Sequence, residues 1–179
     1  MILLSYNEFQ SLNELYDSLY EETYKDLKDT SRETDPERQR RSRSIEGNYV
    51  GITNNEFIEF RVSAENPELN AERGKPTSYR VNISLKDFTE LKEEDNSPRE
   101  IINKAIRGNV AVSCTCPAAM YWGQQYNGTV NDYSLDINDI APTINVPTQT
   151  ICKHTFTALS ILPFWRNQIF RDMKELGLI

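Results

Sequence analysis

The chain's three cysteines and its single histidine all fall in two short stretches, VSCTCPAAMYWG at Val112–Gly123 and TICKHTF at Thr150–Phe156. They form two pairs with one residue inside each, Cys114 with Cys116 and Cys152 with His154. An odd number of cysteines excludes a framework in which every thiol is bridged. A disulfide from Cys114 to Cys116 would close a strained ring across one residue. A metal meets no such difficulty. Zinc takes thiolate sulfur and imidazole nitrogen, and four protein ligands give it a closed, tetrahedral, structural site. Alternate residues of a strand point to one face, so Cys-x-Cys can present two thiolates from a single edge. Random placement of three cysteines and one histidine produces these two pairs on the order of once in several thousand trials. The spacing therefore predicts one Zn2+ held by Cys114, Cys116, Cys152 and His154.

A catalytic zinc keeps one position open beside a carboxylate base. Here four ligands fill the sphere, and the nearest carboxylates are scattered aspartates between the two pairs. The His-x-Glu and Pro-Cys-x-x-Cys signature of zinc deaminases is absent. A nucleophilic dyad of Cys152 and His154 also fails, because residues two apart on a helix do not face each other. The expectation is a protein that is not an enzyme.

Cys114-Thr115-Cys116, a spacer, then Cys152-Lys153-His154 resembles the SWIM-type zinc finger, whose pattern is Cys-x-Cys followed by Cys-x-His. Pro117 after the second cysteine is similar to that family, as is the apolar run Phe156, Leu159, Ile161 and Leu162 after the second pair. The resemblance covers residues 110–162. It implies a structural zinc, a short β-hairpin carrying the first pair, and a helix N-terminus carrying the second. SWIM modules occur in helicase-like ATPases, transposase-type proteins, signalling proteins and phage proteins, with both nucleic-acid and protein partners. More loosely, VSCTCPAAMYWG and CKHTFTALSILPFW resemble small virion proteins of tailed phages. That likeness implies a structural role in a capsid, neck or baseplate, and a location in the virion after assembly in the host cytoplasm.

The chain has 179 residues, with 20 Lys and Arg against 27 Asp and Glu, a formal net charge of −7. That length supports one sizeable core. No apolar run is long enough to span a bilayer, and Met1–Leu4 is too short and lacks the basic flank of a signal peptide. Unpaired cysteines suit a reducing cytoplasm. Between Arg107 and Lys153 there is no Lys or Arg, and only Asp132, Asp136 and Asp139 carry charge. Non-specific DNA affinity comes from cations on phosphates, so a zinc module with this spacer is a poor reader of duplex DNA. The spacer instead carries Trp122, Tyr126 and Tyr133, residue types enriched at interface centres. These three are expected to contact a partner, although Trp122, like Tyr121, suits the core beneath the finger equally well. The segment PERQRRSRSI holds Arg38, Arg40, Arg41 and Arg43. Such basic runs can meet phosphate, but after an acidic helix they are expected to meet an acidic protein surface. The partners predicted are thus other protein subunits of a larger assembly, with no membrane. The alternative is a SWIM-type nucleic-acid-binding accessory protein.

The elements that must position these residues are legible as patterns. Ser5 and Glu8 form a capping box for a helix whose stripe is Phe9, Leu12, Tyr16, Leu19, Tyr20 and Leu27, ending near Asp29. Two strands should flank a turn at Asn54-Asn55, with Ile58, Phe60 and Val62 on one face. A polar loop follows, and then SYRVNISL alternates with Tyr79, Val81, Ile83 and Leu85 inward. A short helix is expected near Lys86–Lys92. Another opens at Ser97-Pro98-Arg99-Glu100 and ends at Gly108. NVAVSC should be a fourth strand leading into the first ligand pair, and the chain should be helical from about Thr155, restarting at Pro163 and stopping at Gly177. The class predicted is α+β, a small antiparallel sheet with flanking helices stapled by a Cys3His zinc site. Its parts are an amphipathic helix over 1–35, an arginine-rich linker over 36–48, and an α+β domain over 49–179 with the zinc module at 110–162.

Overall fold

In the computed structural model, which describes residues 24–121, 124, 133–135 and 150–179, four strands form one antiparallel sheet in the order β1-β2-β3-β4. They are β1 (Gly47–Ile52), β2 (Ile58–Ser63), β3 (Ser78–Leu85) and β4 (Val110–Cys114). Side chains alternate across a strand, which decides the covered face. Ile58, Phe60 and Val62 on β2 are buried, as are Val81, Ile83 and Leu85 on β3. Phe60 lies opposite Val81, Ile83 opposite Val112, and Val81 again opposite Cys114. Directly opposed residues share a face, so Cys114 belongs to the core side. All five residues of β4 are buried. On its far edge Val112 N donates to Tyr133 O at 2.7 Å, and Leu135 N donates to Val112 O at 3.1 Å.

The helices are α1 (Tyr24–Thr34), α2 (Pro36–Arg41), α3 (Pro67–Glu72), α4 (Phe88–Glu93), α5 (Pro98–Ala105), α6 (Pro117–Tyr121), α7 (Lys153–Ile161) and α8 (Arg166–Glu175). Two 3-10 turns, Ser42–Ser44 and Leu162–Trp165, follow α2 and α7. The central one is α7. Every residue from His154 to Leu159 is buried, which marks a helix packed on all sides rather than along one stripe. It touches all four strands and also α1, α2 and the first 3-10 turn. Its approach to β1 is close, because a Cβ on Gly47 would lie 2.8 Å from Ile161 Cδ1. Helix α8 packs on β1 and α5 through buried Ile169 and Met173. There the Tyr49 hydroxyl donates to Asp172 Oδ2 at 2.6 Å.

Most of the expected elements are present. The Ser97 capping box forms, with Glu100 N donating to Ser97 Oγ and Ser97 N donating to Glu100 Oε2. Gly177 takes φ 70° and Leu178 N donates to Met173 O, the Schellman closure of α8. Three details differ. The polar loop after β2 contains α3, which opens at Pro67, the favoured first position. Gly108 has no left-handed backbone; its missing Cβ makes room for the Asp87 carboxylate, which accepts from Asn109 N at 2.7 Å. The arginine-rich segment expected as a linker is helical in α2 and the 3-10 turn. Its other face explains this, since Gln39, Ser42 and Ile45 are buried against the body of the domain. Of the N-terminal stripe only Leu27 falls in the described residues, where it is fully buried on α1; residues 5–23 lie outside them.

If α1 and α2 are part of the cooperative unit, Leu27→Ala should lower stability by about 2–5 kcal/mol, the cost of deleting a buried leucine. Urea unfolding followed by circular dichroism reads this as a lowered midpoint, and an unchanged midpoint would show that the helix is not docked.

Candidate metal centre

Each ligand sits where an element begins or ends. Cys114 closes β4. Thr115 extends the pairing with β3 by one more step: its N–H donates to Arg80 O at 3.0 Å, and its hydroxyl accepts from Arg80 N at 3.0 Å. Cys116 then precedes Pro117, the first residue of α6, and Ala119 N donates to Cys116 Sγ at 3.3 Å. Cys152 is the N-cap of α7, where Thr155 N donates to its sulfur at 3.4 Å and Thr155 Oγ1 lies 3.3 Å away. His154 follows in the first turn of that helix. Cys152 thus takes the place of a capping side chain, facing an N–H group that has no partner within the helix, while Cys116 shares the Ala119 N–H with its own carbonyl, 3.1 Å away. The positive end of a helix favours a thiolate there. The first pair sits on a strand-to-helix corner rather than on the expected short hairpin, because Pro117 starts a helix at once.

One donor atom from each of Cys114, Cys116, Cys152 and His154 lies within 4.8 Å of the other three. None of the four residues is more than 4% exposed. His154 Nδ1 is 4.0 Å from Cys152 Sγ, and His154 Nε2 is buried without a hydrogen-bond partner among the described residues. A zinc tetrahedron with Zn–S bonds of about 2.3 Å spaces its ligands about 3.8 Å apart. The cluster therefore needs a closure of about 1 Å to reach that spacing. The donor set fits a metal ion: three soft sulfurs and an imidazole face one another, with no carboxylate among them. Such an ion would be held by all four side chains and would replace the thiol protons with one shared cation.

Burial and mutual proximity set the electrostatics of the four side chains. Burial drives the Cys114 thiol well above the usual thiol range, and its hydrogen bonds with Cys116 and Cys152 add to that. Burial also opposes ionisation of Cys152, but hydrogen bonds from Cys114, Cys116 and His154 outweigh it and hold that thiol well below its usual range. Tyr79 covers the imidazole, with ring centroids 4.6 Å apart. Its phenol is pushed upward by burial and by the neighbouring sulfurs of Cys116 and Cys114.

Several residues of the centre carry no motif. Gln124, 3% exposed, accepts through Oε1 from Cys152 N at 2.6 Å and from Thr155 Oγ1 at 3.1 Å. Lys153, between the second pair, donates to Glu65 Oε2, and Arg41 Nη1 lies 3.5 Å from the same oxygen. The hydrogen bond from Lys153, with the nearby positive charges, keeps the Glu65 carboxyl below its usual range. Gln39 Nε2 donates to Ile151 O at 3.0 Å and to Ser31 Oγ. The type and spacing of Gln124 and Gln39 give no signal in the sequence; each matters because of the carbonyl or N–H that the fold sets beside it.

The residues expected to face partners divide. Tyr133 is 1% exposed, and its hydroxyl donates to Thr150 O at 2.9 Å, so it fills the chain's own core beside β4. Arg41 is engaged with Glu65, and Arg40 Nη2 lies 3.0 Å from Glu37 Oε1 on the exposed face of α2. Arg43 is exposed on the 3-10 turn. Arg38 lies on α2, while Trp122 and Tyr126 lie outside the described residues.

These features define a small α+β domain built around a buried Cys3His cluster that could hold a metal ion. No protein-family model, no curated protein and no solved structure matches the chain. Among the described residues no helix is long and apolar enough to cross a membrane.

Replacing Gln124 by Ala leaves the Cys152 N–H buried without its acceptor, at a cost of about 1–3 kcal/mol. Partners of this outer kind tune metal affinity by about 10–100-fold. Q124A should therefore melt at a lower temperature and lose metal to a competing chelator sooner than wild type. Cys152→Ser should do far more, abolishing stoichiometric metal and the cooperative melt. A C152S protein with wild-type melting would show that the cluster is not a structural metal site.

Proposed function

We propose that the chain is a non-enzymatic adaptor whose structural zinc, of the SWIM type, clamps α7 against the sheet while other surfaces bind protein subunits of a larger assembly. The looser likeness to phage proteins makes that assembly the virion of a tailed phage. The observation that carries the reading is the placement of the cluster. Its four donors lie within 4.8 Å of one another, enough in number for a tetrahedral zinc sphere; all are buried, and they join the end of β4, the start of α6 and the start of α7. A metal so enclosed serves the fold.

A positive face supports the choice of partner. Arg32, Arg40 and Arg43 line a recess of about 290 Å³ with Pro36, Gln39 and Phe156. The Arg32 guanidinium lies 5.2 Å from the Phe156 ring centroid, and Lys28 Nζ lies 5.8 Å from it. Aromatic and arginine side chains together mark interface centres. Asp29 and Glu37 pair with Arg32 and Arg40 at 2.8 and 3.0 Å, which lowers the net positive charge of this face and so weakens the attraction for phosphate on which duplex binding depends.

Charge reversal in R40E/R43E should prevent incorporation into the assembly while metal content and melting stay unchanged. Wild-type protein should show no retention on duplex DNA even at ~50 mM salt, where phosphate contacts are strongest. Duplex binding that falls steeply with log salt and vanishes in R40E/R43E would replace this reading with that of a nucleic-acid-binding factor.

A further inference from the structure

Arg99 and Arg166 raise a separate question. Like several other exposed cations, neither lies within ion-pair distance of a carboxylate among the described residues, but these two share one recess. Both line a recess of about 150 Å³ between α5 and α8, with Ile102, Asn103, Asn167 and Phe170. Among the described residues no carboxylate lines it. Arg99 and Asn103 are four apart on α5, and so come from one helix face. Arg166, Asn167 and Phe170 come from the first turns of α8. The Arg99 guanidinium carbon lies 5.4 Å from the Phe170 ring centroid. That ring packs against the core, so it is an anchored platform that restricts where the guanidinium can go.

We propose that this recess binds a tetrahedral oxyanion, a phosphate or the terminal phosphate of a monoester. Two guanidinium forks of like charge and two side-chain amides, all exposed, supply many N–H donors to one recess. A carboxylate carries one charge and offers its two oxygens to a single fork. A phosphate near neutral pH carries about −1.5 to −2 and presents oxygens in several directions, so it can serve both arginines. The size sets the unit recognised. At about 150 Å³ the recess has room for one phosphate group. This site depends on neither the metal nor the adaptor reading.

The test is a titration of full-length, zinc-loaded protein with inorganic phosphate at low ionic strength, followed by 15N–1H NMR against chloride at matched ionic strength. Saturable shifts at Arg99, Asn103, Arg166 and Asn167 are expected with phosphate and not with chloride. R99Q/R166Q should weaken binding by at least about tenfold with an unchanged melting temperature. R99K/R166K, which keeps the charge but loses the forks, should fall between. A second arm compares a phosphoserine peptide with free phosphate; tighter binding of either supports the site and tells which source it takes. Shifts that rise equally with chloride, binding undiminished in R99Q/R166Q, or saturation only at Arg40 and Arg43 would overturn the proposal.

Discussion

Three thiols and an imidazole, packed together and closed off from water, form an arrangement that is costly without a cation. The sulfurs of Cys116 and Cys152 accept from Ala119 N and Thr155 N, and His154 Nε2 has no partner among the described residues. Buried polar groups left in that condition cost free energy, and negative charge cannot spread over three buried sulfurs unaided. A single divalent ion would balance that charge. In small domains a structural zinc supplies about 10–16 kcal/mol, against a usual net stability of about 5–15 kcal/mol. On that scale the mutual placement of β4, α6 and α7 depends on the cluster more than on any one apolar contact.

The dependence spreads outward from the residues just before and inside the second pair. Thr150 O accepts from Tyr133, Ile151 O from Gln39, Cys152 N donates to Gln124, and Lys153 Nζ donates to Glu65. Four consecutive residues are thereby tied to four separate parts of the chain. The same tetrapeptide opens α7, the helix that touches every strand. The metal ligands and the packing axis are therefore one piece of structure. The recess around Phe156 is formed where α1 and α2 meet that axis, which links the proposed partner surface to the integrity of the centre.

How far the sequence could be read depended on whether a residue's role is local. The four ligands were legible because metal chemistry needs particular residue types at short spacing, and all four converge. The strands were legible from alternation: Ile58, Phe60 and Val62 are buried together, as are Val81, Ile83 and Leu85. The Ser97 box and Gly177 were legible because caps use few residue types. Roles set by distant neighbours were not. Tyr133 has the composition of an interface residue, yet the parallel bridge between Ser134 and Val112 carries it into the core. The arginines of 38–43 suggested a linker, and the burial of Gln39 and Ser42 between them has no signature in composition. Pro117 was read as part of a family pattern, whereas its immediate effect is to start α6 and turn Cys116 toward the cluster.

The reading of this chain as a zinc-stapled adaptor rests on one question, whether these four side chains coordinate a metal together. Zinc K-edge X-ray absorption on the purified full-length protein answers it directly. The account predicts one zinc per chain with three sulfurs near ~2.3 Å and one nitrogen near ~2.0–2.1 Å, and no bound water. A protein that carries no stoichiometric metal, or whose zinc is surrounded only by nitrogen and oxygen, would contradict it.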